Sequence, residues 1–292
     1  MKLSKILCPI DFSPGATQAL RMAARMANEQ NAELVIIHAL HMPVSSYSLE
    51  GPFPASITQP LIDDAERGLD AAVREASAAG AKRVSRKLLT GIPWAIIVSE
   101  LENQPYDLCV IGTHGRTGLI RILLGSVAEK VIRHAPCSVI AARLDATNGP
   151  FAHAMVPTDF SDSAEYAMEV ATELVQPQGT ISLVHVIEVP VAYSGEVMIA
   201  DLASALARRA TSALERSATK LRANSSQQVA TGSRSGSPGA QTLAAIDEDP
   251  TIDLVVMGTH GRTGLRRVVM GSVAEKVARN ARCPVLVARR RA

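Results

Sequence analysis

GTHGRTGLIRILLGSVAEK, Gly112 to Lys130, returns as GTHGRTGLRRVVMGSVAEK, Gly258 to Lys276, identical at 15 of 19 positions. Self-similarity at a fixed offset marks duplicated structural units, and this one spreads outward in both directions. KILCPIDFS (Lys5 to Ser13) reappears as HAMVPTDFS (His153 to Ser161), and LVIIHAL (Leu34 to Leu40) is echoed by SLVHVIE (Ser182 to Glu188), with His38 against His185. HAPCSVIAAR (His134 to Arg143) matches NARCPVLVAR (Asn280 to Arg289). Each half carries the same segments in the same order, so we expect two domains, residues 1–146 and 152–292, joined near Leu144 to Phe151, where DATNGP gathers turn formers.

Within each half, short apolar β-branched runs alternate with longer stretches of helical period. The first half predicts strands near 3–10, 32–40, 82–90, 106–111 and 137–143, with helices near 14–29, 60–79, 93–103 and 125–135. The second predicts strands near 152–158, 179–187, 227–234, 252–257 and 283–289, with helices near 161–176, 196–223, 238–248 and 271–281. Continuous apolar strands such as LCVIG and LVVMG suit a parallel sheet covered on both faces, and strand-helix alternation makes a doubly wound α/β layer. NSSQQVATGSRSGSPG (Asn224 to Gly239) looks like a linker but falls where the first half has a strand and a turn, so we expect a polar edge strand there.

The 292 residues fit two cores better than one, and no apolar run approaches the roughly 18 residues of a membrane span. MKLSKILCPIDF has too short an apolar run for a secretory signal, which points to a cytoplasmic protein without membrane contact. Residues 1–145 hold 15 Lys+Arg against 14 Asp+Glu and the remainder the same, so neither half is a basic module and nucleic acid is not an expected partner. The closing Arg289 to Arg291 reads as a solvated tail. Cys8, Cys109, Cys137 and Cys283 lie in apolar runs without CxxC spacing, which predicts buried free thiols and no metal site.

Gly112 and Gly115 follow a buried strand, at the carboxyl edge where α/β sheets bind ligands. Glycine lets a ligand approach the backbone, and Gly125-Ser126 then opens a helix whose unpaired amides favour an anion. Gly258, Gly261 and Gly271-Ser272 repeat the pattern. The competing account is a tight turn with Ser126 and Ser272 as helix caps, since Ser126 to Glu129 and Ser272 to Glu275 fit the capping-box spacing. Neither GxxxxGK[ST] nor GxGxxG is present. Asp11 and Asp159 follow the first strands and are candidates for ribose hydroxyls; Ser13 before Pro14 is the better helix cap, which frees Asp11. His114 and His260 suit loop positioning or phosphate contact better than acid-base chemistry, for no partner is placed beside them. Arg116 and Arg262 would reach a terminal phosphate or lie in solvent. Trp94 reads as a packing residue at a helix start.

These segments together resemble the universal stress protein family in its tandem, ATP-binding form: glycine, two residues, glycine, nine residues, Gly-Ser occurs twice, with PIDFS and PTDFS, the strand-2 segments and the closing strands in register. The resemblance implies five parallel strands in the order 3-2-1-4-5 in each domain, with Asp11 beside Gly112. It places Asp11 and Asp159 at ribose, and Ala39 and Val186 at adenine, valine being the usual residue there. Ile111 and Met257 would flank the base. Gly115, Gly125, Ser126 and Val127, with Gly261, Gly271, Ser272 and Val273, would hold the phosphates of ATP, bound with Mg2+. It further implies pairing of residues 137–143 with 283–289 as an intramolecular pseudo-dimer, and leaves a homodimer of tandem chains open. The implied function is nucleotide-dependent regulation of protein partners in a stress response, without catalysis. A slow ATPase or autophosphorylating enzyme and a nucleotide-free interaction scaffold are the alternatives.

Overall fold

The computed structural model describes residues 3–41, 47–48, 51–52, 55–113, 124–146, 149–188, 196–259 and 270–291. They form two compact units, one over Lys2–Asn148 and the other over Gly149–Arg290. The first runs β1 (Lys5–Pro9), α1 (Pro14–Gln30), β2 (Glu33–Leu40), β3 (Tyr47–Ser48), β4 (Gly51–Pro52), α2 (Ala55–Ala78), β5 (Arg83–Thr90), α3 (Pro93–Asn103), β6 (Leu108–Gly112), α4 (Ser126–His134) and β7 (Ser138–Ala142). The second runs β8 (Phe151–Pro157), α5 (Asp162–Leu174), β9 (Val175–Ile187), α6 (Glu196–Asn224), β10 (Gln228–Ser235), α7 (Pro238–Glu248), β11 (Leu254–Gly258), α8 (Ser272–Asn280) and β12 (Val285–Ala288).

In the first unit the strands lie in the order β5-β2-β1-β6-β7, and in the second β10-β9-β8-β11-β12, every neighbouring pair parallel. Each is the expected 3-2-1-4-5 arrangement. The strand order reverses between first and fourth strands, which opens a crevice at the carboxyl edge. Burial explains the strand composition: Ile6, Leu7, Cys8, Leu34, Ile36 and Ile37 are fully buried in the first unit, as are Met155, Val156, Leu254, Val255 and Leu286 in the second. All four cysteines are buried free thiols. No helix of the described residues is long and apolar enough to cross a membrane.

Helices α1 and α5 start at serine caps. Ser13 accepts a bond from Ala16 N at 3.2 Å with Pro14 following, and Ser161 accepts from Ala164 N at 3.4 Å. The segment at Asn224 to Gly239 is the edge strand β10 and the turn into α7.

Four details differ from the sequence expectation. The two-residue strands β3 and β4 form a small antiparallel pair. Helix α2 begins at Ala55, so Pro60 lies inside it and does not open it. Helix α5 stops at Leu174 and not near 176: Val175 joins β9, opposite Phe151, through a register irregularity, and buried Gln227 donates to the carbonyls of Thr172 and Val175 at 3.0 and 2.8 Å. Arg290, taken for tail, pairs with Glu169 at 2.9 Å and lies over the Tyr166 ring.

Candidate functional site

Asp11 and Asp159 stand two residues past β1 and β8, in turns that are nearly superimposable in their bonding. Asp11 Oδ1 accepts from Ser13 N at 3.1 Å and Ser13 Oγ at 2.6 Å; Asp159 Oδ1 accepts from Ser161 N and Oγ at 3.1 and 2.6 Å. Ser13 does cap α1, but Asp11 is thereby tied to the cap and not freed from it. The residue between them, Phe12 or Phe160, takes φ 64° in both domains. An aromatic residue in the left-handed region is strained unless its surroundings fix it. Here each ring packs on a histidine, Phe12 on His38 at 4.5 Å and Phe160 on His185 at 4.6 Å. The histidines are held in turn, His38 Nδ1 donating to Ile10 O at 2.8 Å and His185 Nδ1 to Thr158 O at 2.7 Å. The repeated histidine of the second strand therefore fixes the loop that presents the aspartate.

Gly112 and Gly258 end β6 and β11. A side chain on Gly112 would meet the Gly15 carbonyl group at 2.7 Å, and one on Gly258 would meet the Ser163 backbone at 2.8 Å. Their first requirement is close packing of the strand against α1 or α5, which spacing alone does not separate from ligand approach. The following threonines, absent from the sequence expectation, close the loop. Thr113 binds the Ala142 carbonyl through its N at 3.2 Å and its Oγ1 at 3.0 Å, and Gly125 N donates to Thr113 O at 2.8 Å; Gly271 N donates to Thr259 O at the same distance. His114, Gly115, Arg116, His260, Gly261 and Arg262 lie outside the described residues.

Ser126 and Ser272 are not the caps of α4 and α8. Gly125 and Gly271 occupy the cap positions, with no side-chain cap bond, and the serines are the first helical residues. The capping box anticipated for Glu129 and Glu275 does not form; each glutamate instead bonds an arginine one turn on, Arg133 or Arg279, at 3.3 Å. Both helices thus begin with exposed serine and no capping side chain, at the positive end of the helix dipole.

In the second domain these pieces enclose a cleft of about 1040 Å³, at the upper end of the range for small-molecule sites. It joins Asp159, Val186, Met257, Gly258, Gly271, Ser272 and Val273. In the first domain Asp11, Ala39, Ile111, Gly112, Gly125, Ser126 and Val127 occupy the corresponding ends of β1, β2 and β6 and the start of α4. One wall escaped sequence reasoning: α6 contributes Arg208, Arg209 and Arg216 to the cleft. On a helix period they look like a solvated face, and only the position of α6 reveals otherwise. Trp94 begins α3 as expected, its ring 5.9 Å from His134 and beneath Lys130 at 5.1 Å, both on α4.

Comparison with known proteins agrees with the architecture. The sequence pattern of the universal stress protein family matches residues 2–143 and again 150–289. A universal stress protein of Methanocaldococcus jannaschii is 36% identical over 140 residues, covering 48% of this chain and 81% of that protein. A Staphylococcus aureus USA300 protein described under the same family is 33% identical over 141 residues, 48% of this chain and 84% of its own length. Among solved structures, a universal stress protein from Archaeoglobus fulgidus aligns over 99% of this chain and all of its own with a TM-score of 0.72 at 22% identity, a likeness of fold.

Proposed function

Because this chain belongs to the universal stress protein family, we propose that each domain binds an adenine nucleotide at the carboxyl edge of its sheet, and that the loaded state changes how a cytoplasmic regulatory protein meets its partners. The observation that carries this is the second-domain cleft, where residues from separate strands and a helix start converge on one volume. Its chemistry fits ATP. Val186 and Met257 offer an apolar surface to a base, and Asp159 is a hydrogen-bond acceptor for ribose hydroxyls. The uncapped first turn of α8, with Gly271, Ser272 and Val273, suits phosphate oxygens. Magnesium would enter on the nucleotide's own phosphates, and we assign it no protein ligand. Turnover is not part of the proposal. Regulation requires only that nucleotide favour one conformation over another.

The direct test is chain purified without added nucleotide, denatured, and its supernatant examined by mass spectrometry, followed by calorimetric titration with ATP. About two equivalents are expected, and Gly115→Val or Gly261→Val should each remove about one, because a side chain there blocks approach to the backbone. Retention of both equivalents in the double variant refutes the loop assignment. Absence of adenine nucleotide together with a flat titration refutes binding altogether.

A further inference from the structure

We infer that the two nucleotide sites read different charge states: the second-domain cleft selects the triphosphate through Arg208, Arg209 and Arg216, and the first domain does not, an inference that rests on the nucleotide-binding proposal above.

Helix α6 walls the second-domain cleft, α2 is its counterpart in the first domain, and the two can be set in register from contacts. Asp70 on α2 bonds Arg86 of β5 at 2.7 Å, and Glu215 on α6 accepts from Thr231 of β10 at 2.8 Å, the same pair of positions shifted by 145. Buried Ala65 and Leu69 then coincide with buried Ala210 and Leu214. Gly68, against which the Phe12 ring packs, coincides with Ala213, which lines the cleft beside Phe160. On this register Arg208, Arg209, Ser212 and Arg216 correspond to Asp63, Asp64, Arg67 and Ala71. The four positions sum to +3 in the second domain and to −1 in the first.

The first-domain charges are also occupied locally: Asp63 accepts from Gln59 at 2.9 Å, and Arg67 bonds Asp64. Arg208 and Arg209 are exposed, line the cleft, and have no ion-pair partner among the described residues. Their height above the sheet follows from lengths. The 29 residues of α6 span about 43 Å and the eight of β10 about 27 Å, so the first third of the helix rises past the carboxyl edge. Arg208 and Arg209, the 13th and 14th residues of α6, stand near that edge, where the proposed nucleotide would lie. They need not touch phosphate. Unpaired cations on a cleft wall raise its potential over distances of about a Debye length, roughly 8 Å at physiological salt, and a triphosphate gains more from that potential than a monophosphate.

The experiment titrates the full chain with ATP and with AMP, at low and at physiological salt. Calorimetry reads both sites, and fluorescence of Trp94, the chain's one tryptophan and packed on α4, reads the first. One site should prefer ATP over AMP by about tenfold or more, a preference that weakens with salt, and Trp94 should report the site of lower preference. Arg208→Asp with Arg209→Asp should bring the second site's preference down to that of the first, with AMP affinity falling less than ATP affinity and thermal unfolding little changed. Arg208→Lys with Arg209→Lys, which keeps the charge, should keep the preference; its loss there would overturn a charge-based selection. Asp63→Arg with Asp64→Arg should raise ATP preference at the Trp94-reporting site. Equal ATP-to-AMP ratios at both wild-type sites, or a ratio unmoved by the Asp pair, overturn the inference while leaving nucleotide binding intact. No binding of either nucleotide instead removes the proposal on which it rests.

Discussion

The first domain has Cys8 and Cys109 where the second has Val156 and Val255, and it has Asp63 and Asp64 where the second has Arg208 and Arg209. Around these differences the frame is the same. Phe12 and Phe160 share one unusual backbone angle, Gly112 and Gly258 meet the same kind of helix backbone, and Gly125 and Gly271 donate to Thr113 and Thr259 at the same distance. Main-chain geometry at the sheet edge is thus held to within tenths of an ångström, while the core below and the wall beside it have diverged. On the proposal above, main-chain groups would hold phosphate in both domains, and side chains on the wall would decide which ligand is preferred.

The largest contrast should appear in alkali. Burial pushes the thiols of Cys8 and Cys109 well above their ordinary range, and Cys109 is raised further by the neighbouring Cys137 and Cys8. An unfolded chain releases thiol protons near pH 8.5, whereas the folded domain keeps them. The stability tied to these protons is intact below pH 8.5 and is lost as pH rises above it, at roughly 1.4 kcal/mol per pH unit for each thiol. Two thiols over 1.5 units make a loss of about 4 kcal/mol by pH 10. Urea unfolding followed by Trp94 should show it in the first domain, and Cys8→Val with Cys109→Val, which installs the second domain's residues, should flatten the pH response. A wild-type first domain equally stable at pH 8 and pH 10 would contradict this account.

Next in size is the glycine that ends the fourth strand. Gly112→Val and Gly258→Val should each destabilise their domain by about 3 kcal/mol, since the new atoms meet helix backbone and not a movable side chain. Thermal unfolding without nucleotide separates this from a binding defect. Variants that melt like wild type but no longer bind would return these glycines to ligand approach alone.

How much of this was legible in the chain follows from where the information lies. Runs such as LVIIHAL and LVVMG suit strands buried on both faces, the duplication gives two such sets, and the sheet order comes from the family resemblance. Asp159, Gly258, Gly271 and Ser272, singled out from the chain, and Val186, Met257 and Val273, added by the resemblance, line one cleft. Features settled by tertiary approach were not legible. Gly112 is explained by the nearness of Gly15, the lack of a serine cap by the Gly125 bond to Thr113, and the arginine wall by how far α6 rises past β10. Two-residue strands such as β3 and β4 are too short to carry any period, and Pro60 reads as a helix start although α2 begins a turn and a half before it.

The smallest expected effect tests the edge strands, where the two domains differ without consequence for the site. Lys87 of β5 bonds Glu100 at 2.7 Å, and its counterpart in β10 is Gly232. Nothing lies within 4 Å of where a Gly232 side chain would start, and its backbone is outside the left-handed region. Glycine inside a strand leaves the unfolded chain more freedom than alanine does, by about 0.5–1 kcal/mol. Gly232→Ala should therefore stabilise the second domain by about 0.5 kcal/mol, seen as a higher urea midpoint at unchanged slope with nucleotide affinity unaltered. Destabilisation would mean that the outer face of β10 is covered, since the added methyl group would then be meeting a surface that the isolated domain leaves open.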